Sequence, residues 1–292
     1  MQIAVRLLNA IFMIALPLTM APILVKRLGV AWRLFAIGAL TFFASQLLHI
    51  PFNVWVLNPL LEQLRSSGIQ PQLALAASAG LLGLSAGIFE ECSRYMVLRF
   101  WLREERNWGQ MLMFGIGHGG FEAILLGVLA LYSFFQAFAL RQADLTTIVP
   151  LDQLQSITAG LSFYWEAPWY LALLGALERA LAICLHLGLT ALVWQAVVRR
   201  SFGWTGLAIA WHGVANAGAL IVNEYWGPYL AEGFIALAAG ISLLFVFALR
   251  RHGPVEKPVA SSMRPRLPLM IDRIGAAEEI DPDKLNESRY LD

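Results

Sequence analysis

The residues best equipped for chemistry are Glu90, Glu91, Arg94, His118, Glu122, Glu178, Arg179, His186, His212 and Asn216. All lie inside strongly apolar stretches, where an ionisable side chain is costly and marks a functional site by default. A glutamate can take a proton from water, and imidazole or carboxamide donors can stabilise charge on a carbonyl oxygen. That combination suits hydrolysis of an amide bond. The same side chains form a second set: Glu90, His118, His186 and His212 are a full ligand complement for zinc. Their spacing is not the H-E-x-x-H of zincins, because each ligand comes from a different stretch. Both readings stay open. The first needs no cofactor and uses a glutamate-activated water; the second needs zinc.

Depth and face argue that these groups meet. Counted from the arginine-bearing end of each stretch, Glu90, His118 and His212 lie about 9 residues in and His186 about 12, roughly 13–18 Å at a helical rise. Glu90 and Arg94 are four apart and share a face, as do His118 with Glu122 and His212 with Asn216. Glu90 and Glu91 differ by about 100° around the axis. One of them therefore faces a pocket while the other supports it through Arg94. Glu122, one turn beyond His118, is placed to orient it. Glu178 and Arg179 lie nearer the opposite end and suit a structural or gating pair as well as catalysis. Cys92 and Ser93 neighbour the glutamates but project elsewhere on a helix, so no nucleophilic side chain stands out. His49, beside Pro51, reads as a structural donor to carbonyls that the proline frees.

The elements that must position these groups are membrane helices. Of the 292 residues, 58% are hydrophobic and only 14% charged, against about 25% charged in soluble domains. Mean hydropathy is +0.63. A net charge of +1 gives no footprint for a nucleic acid partner. Seven runs are long enough to cross a bilayer: roughly 3–24, 33–57, 72–99, 109–136, 167–198, 203–223 and 228–249. Pro51 is a place for a kink in the second. Lys26, Arg27 and Arg33, then Arg99, Arg103 and Arg106, then Arg199 and Arg200, then Arg250 and Arg251 occupy alternate connections. The positive-inside rule then places the N-terminus outside and the C-terminus in the cytoplasm of a cell (inner) membrane. "LDQLQSITAGL", within the long connection 142–167, suits a short surface helix. The organisation expected is one transmembrane domain over residues 1–250 and a flexible cytoplasmic tail over 251–292. The two cysteines, Cys92 and Cys184, lie in apolar runs and give no disulfide framework.

Four motifs in order, "EECSR", "GHGGFE", "LERALAICLH" and "HGVAN", resemble the YhfC family, which is grouped with the CPBP (Abi) intramembrane proteases that include the CAAX prenyl-protein endopeptidases. The resemblance covers about residues 1–250. It implies an all-α polytopic bundle of the CPBP type with a water-accessible interior, and a glutamic-type peptidase. On matching positions it implies Glu90 as general base, His118 positioning the water, His212 and Asn216 at the oxyanion, and Glu91 with Arg94 as a supporting pair. "EECSR" has two residues between the second glutamate and the arginine where the wider superfamily has three. Depth and motif order favour Glu90 as the base. The partners implied are the lipid bilayer and a membrane-bound or hydrophobic peptide, cut in the cytoplasmic half of the bilayer. Two other classes compete: a proton-coupled transporter, disfavoured by the lack of a repeat or paired broken helices, and a non-catalytic scaffold, disfavoured by so many buried charges.

Overall fold

A chain segment in hydrocarbon must satisfy its own backbone hydrogen bonds, and apolar runs of this length do so as helices. The computed structural model describes residues 1–250, and among them there is no strand. The expected tail, 251–292, lies outside the described residues. Ten helices follow in order: α1 (Gln2–Leu28), α2 (Trp32–Phe52), α3 (Asn58–Ser66), α4 (Pro71–Met96), α5 (Trp108–Leu140), α6 (Leu145–Ile148), α7 (Leu151–Glu166), α8 (Leu174–Val198), α9 (Gly203–Trp226) and α10 (Pro228–Arg250). Seven continuous segments are long and apolar enough to span a membrane, matching the seven runs read from the sequence. The fold is an all-α polytopic bundle.

Local chemistry sets the helix ends. The Asn107 side chain accepts from Gln110 N–H, and the Gln110 side chain accepts from Asn107 N–H, both at 2.9 Å; this capping box starts α5. Gly29, at φ 65°, ends α1 in the left-handed region that favours glycine. At Pro51 the second span does not stop. It passes through a π turn at Asn53–Leu57 into α3, so one continuous segment runs from Trp32 to Ser66. The surface helix is longer than expected: α7 runs from Leu151 to Glu166 and buries no residue. It is tied to α1 by Arg6, which donates to the Tyr164 carbonyl and stacks over the Tyr164 ring.

Helix α8 is the axis of the bundle. It packs against α1, α4, α5, α9 and α10, and 83% of its apolar window is buried, while no other span exceeds 39%. The pairs α4–α9, α2–α5 and α1–α5 complete the packing. Glycines make two of these approaches close. A Cβ on Gly83 would lie 2.6 Å from the Gly213 carbonyl oxygen, and one on Gly119 would lie 2.8 Å from the His186 Cβ. Small residues at such crossings let backbones meet. Here they draw α4 onto α9 and α5 onto α8, the helices that carry the polar groups.

Candidate active site

Helix α4 delivers three charged groups in two directions. Glu91 and Arg94 form an ion pair one turn apart, and both side chains are fully buried. Glu91 Oε1 also lies 2.9 Å from His212 Nδ1 on α9. Glu90, turned about 100° away, faces α2 and α5. Its Oε2 is 3.3 Å from His118 Nε2, and its Oε1 accepts from Gln46 Nε2 at 3.2 Å. Arg94 thus pairs with Glu91 at i,i+3 rather than with Glu90 at i,i+4.

Helix α8 links the rest. His186 Nδ1 is 3.1 Å from Arg94 Nη2, and its Nε2 is 2.8 Å from Glu122 Oε2 on α5. Arg179 Nη1 donates to Glu122 Oε1 at 2.7 Å, and Arg179 also pairs with Glu178. A continuous polar chain therefore runs Glu178, Arg179, Glu122, His186, Arg94, Glu91, His212. Glu122 contacts His186, not the His118 of its own helix that it was expected to orient; the two lie four residues apart, but α8 approaches Glu122 across Gly119. The ring centroids of His118 and His186 are 5.4 Å apart, and those of His186 and His212 are 5.7 Å apart.

Beside these groups is a cavity of about 250 Å³. Glu90, His186, His212 and Asn216 face it at one end, and Glu178 and Ile235 line it further along α8 and α10. It runs away from the helix ends that carry Arg99 and Arg200. The reacting groups keep the depth read from the sequence, and the cavity beside them leads toward the opposite end. Asn216 sits one turn from His212 on the same wall.

Sequence reasoning missed Gln46. It donates to Glu90 and faces His49 Nδ1 at 3.4 Å, while His49 Nε2 lies 3.1 Å from Ser85 Oγ. His49 therefore bonds side chains rather than the carbonyls near Pro51, whose register the π turn absorbs. The signal was present in "SQLLH", where Gln46 and His49 are three apart on one helical face.

A profile of the family described as "YhfC intramembrane metalloprotease" matches residues 12–238. The chain belongs to the YhfC family. The "Uncharacterized membrane protein YhfC" of Bacillus subtilis (strain 168) is 33% identical over 232 residues, covering 77% of this chain and 88% of that protein. No solved structure matches the chain significantly. The family description names a metal, and the geometry can be tested against one. One donor atom each from Glu90, His118 and His186 lies within 4.8 Å of the others, and all three residues are buried. His118 Nε2 is the ring nitrogen turned to Glu90, 3.3 Å from its Oε2; Nδ1, on the other side of the ring, is buried without a hydrogen-bond partner. Four carboxyl groups (Glu90, Glu91, Glu122, Glu178) face only two guanidiniums (Arg94, Arg179). The excess acceptor capacity suits a divalent cation or protons. Two imidazoles and a carboxylate match the donor set of a catalytic zinc site; Glu90 and His186 line the cavity, whereas His118 is fully buried and does not. The pairing of His186 with Glu122 is the outer support such ligands use. The residues fit a metal, and the sequence-based preference for a cofactor-free site is not supported.

Proposed function

We propose that this YhfC-family protein is an intramembrane endopeptidase that hydrolyses peptide bonds of hydrophobic or membrane-associated substrates, with Glu90, His118 and His186 holding a divalent metal. The carrying observation is the convergence of these three buried donors from α4, α5 and α8, two of which, Glu90 and His186, line a cavity. A metal of this kind supplies Lewis acidity and a water of lowered pKa. Everything else falls to the chain. Glu122 accepts from His186 Nε2–H and so leaves Nδ1 as that ring's lone pair, which faces Arg94 Nη2 at 3.1 Å. Glu91 accepts from His212 Nδ1–H, which leaves His212 Nε2 to face the cavity and exchange a proton with the reacting amide. Arg94 balances the Glu91 charge. Asn216 supplies a neutral donor to the carbonyl oxygen, and Gln46 fixes the rotamer of Glu90. The apolar wall beyond, including Ala215, Ala219 and Ile235, excludes bulk water and accepts an extended peptide.

A glutamic mechanism is the second reading. It is favoured by Glu90 itself, which faces the cavity and has one oxygen held by Gln46. In it Glu90 takes the proton of an attacking water directly, with His118 orienting that water. The two readings part on one experiment. Purified protein is assayed for bound metal and for cleavage of a membrane peptide, as wild type, Glu90→Gln and His118→Ala. The metal reading expects near-stoichiometric metal that both substitutions remove together with cleavage. Cleavage that persists after exhaustive chelation assigns the chemistry to Glu90 alone. The alternating arginines favour an outside N-terminus and a cytoplasmic C-terminus in the cell membrane.

A further inference from the structure

A second cavity lies away from the polar layer. It measures about 560 Å³ and lies where α4 and α8 end, lined by Arg99, Phe100, Arg103, Arg106, Val198 and Arg200 among others. No carboxylate lines it. Glu105, next to Arg106 in the chain, is engaged by Arg33, and Glu104 does not line the cavity. Arg106 is fixed in the wall, its Nη1 donating to the carbonyls of Leu98, Leu102 and Glu105 at 3.2, 2.6 and 3.1 Å. Arg103 is steered by an Nε donation to the Phe100 carbonyl at 3.0 Å. Among the described residues, neither Arg99 nor Arg200 forms an ion pair. Arg200 has φ 53°, the one non-glycine residue with positive φ among those described. That conformation usually falls to glycine where a helix ends, yet an arginine occupies it. Burial, together with the neighbouring Arg99 guanidinium, lowers the Arg106 pKa against a smaller opposing effect of Glu105.

Uncompensated guanidiniums converging on one concave surface are built to bind a phosphate ester, whose oxygens accept several charge-assisted hydrogen bonds. We propose that this cavity binds a phosphate-class anion, the headgroup of an acidic phospholipid fitting it better than free phosphate. The ends of the membrane spans place it at headgroup level. Phe100, exposed next to the arginines, offers an apolar surface on which an acyl chain can lie. Basic pockets between spans recognise headgroups in this way. The inference does not depend on the peptidase reading.

The test uses the full-length protein purified in a neutral detergent. Thermal stabilisation is titrated with short-chain phosphatidylglycerol, with short-chain phosphatidylcholine and with inorganic phosphate, for wild type and for Arg103→Gln/Arg200→Gln. Both arginines are exposed, so the variant should fold; its melting temperature without ligand checks this. Phosphatidylglycerol is expected to bind wild type well above phosphatidylcholine, and the double substitution to weaken it roughly twenty-fold. Inorganic phosphate that matches phosphatidylglycerol, with the same loss in the variant, supports the anion site and assigns a soluble source. Equal binding of the two lipids, or binding of phosphatidylglycerol unchanged by the substitutions, overturns the proposal. Should the double variant melt early, Arg103→Lys/Arg200→Lys is measured instead. It keeps the charge but not the forked geometry and is expected to bind several-fold more weakly than wild type; unchanged affinity there also counts against the site.

Discussion

At the scale of single residues, the site depends on which glutamate does what. Two adjacent glutamates must diverge by about 100° on a helix, and the buried triad Glu91, Arg94 and His212 leaves Glu90 to His118 and the cavity. Arg94→Met would leave the Glu91 carboxylate buried without its cation. That is expected to cost about 3–5 kcal/mol of stability, read as an early melting transition in detergent. Glu122→Gln keeps the shape but weakens the hold on His186 Nε2–H. Loss of such an outer carboxylate usually lowers metal affinity by about 10–100-fold; a chelator-competition titration checks it, and an unchanged affinity would remove His186 from the ligand set. The charged residues were legible in the sequence because charge inside an apolar run is conspicuous. Gln46 was not, since a lone amide in a span carries little expense. The partner of Glu122 was also hidden: i,i+4 spacing pointed to His118, whereas the contact with His186 is set by how closely α5 meets α8.

At the scale of elements, glycines decide how near the bearing helices come. A side chain at Gly83 has no room against the Gly213 carbonyl. Gly83→Val is expected to separate α4 from α9, to cost about 1–3 kcal/mol, and to lengthen the Glu91–His212 contact. Gly80 has open space around its Cβ position, so Gly80→Ala serves as the control and should leave melting and activity near wild type. Span positions were readable to within a few residues because hydrophobic length is a one-dimensional property. The fate of Pro51 was not. A proline removes one backbone donor, but whether the chain bends or absorbs the change in a π turn depends on neighbouring packing that periodicity does not encode.

At the scale of the whole molecule, the arginine-rich connections lie at one end of the bundle and the cavity of the polar layer leads toward the other. The orientation we propose, on the positive-inside rule, puts the first end in the cytoplasm. Cysteines placed in a Cys92→Ala/Cys184→Ala background test this: Gln153→Cys in α7 should react with a membrane-impermeant maleimide in intact cells, and Ser201→Cys only after permeabilisation. The reverse pattern would invert the topology. The central position of α8 could not be read from the sequence, since its apolar run resembles the other six; only its neighbours on every side make it the axis. The metal content of the purified wild-type protein, measured beside His118→Ala, decides the assignment of the site. A metal held by Glu90, His118 and His186 means about one equivalent of divalent metal in the wild type, its loss in the variant, and loss of membrane-peptide cleavage with it. A metal-free wild type that cleaves at full rate in the presence of a strong chelator would contradict it.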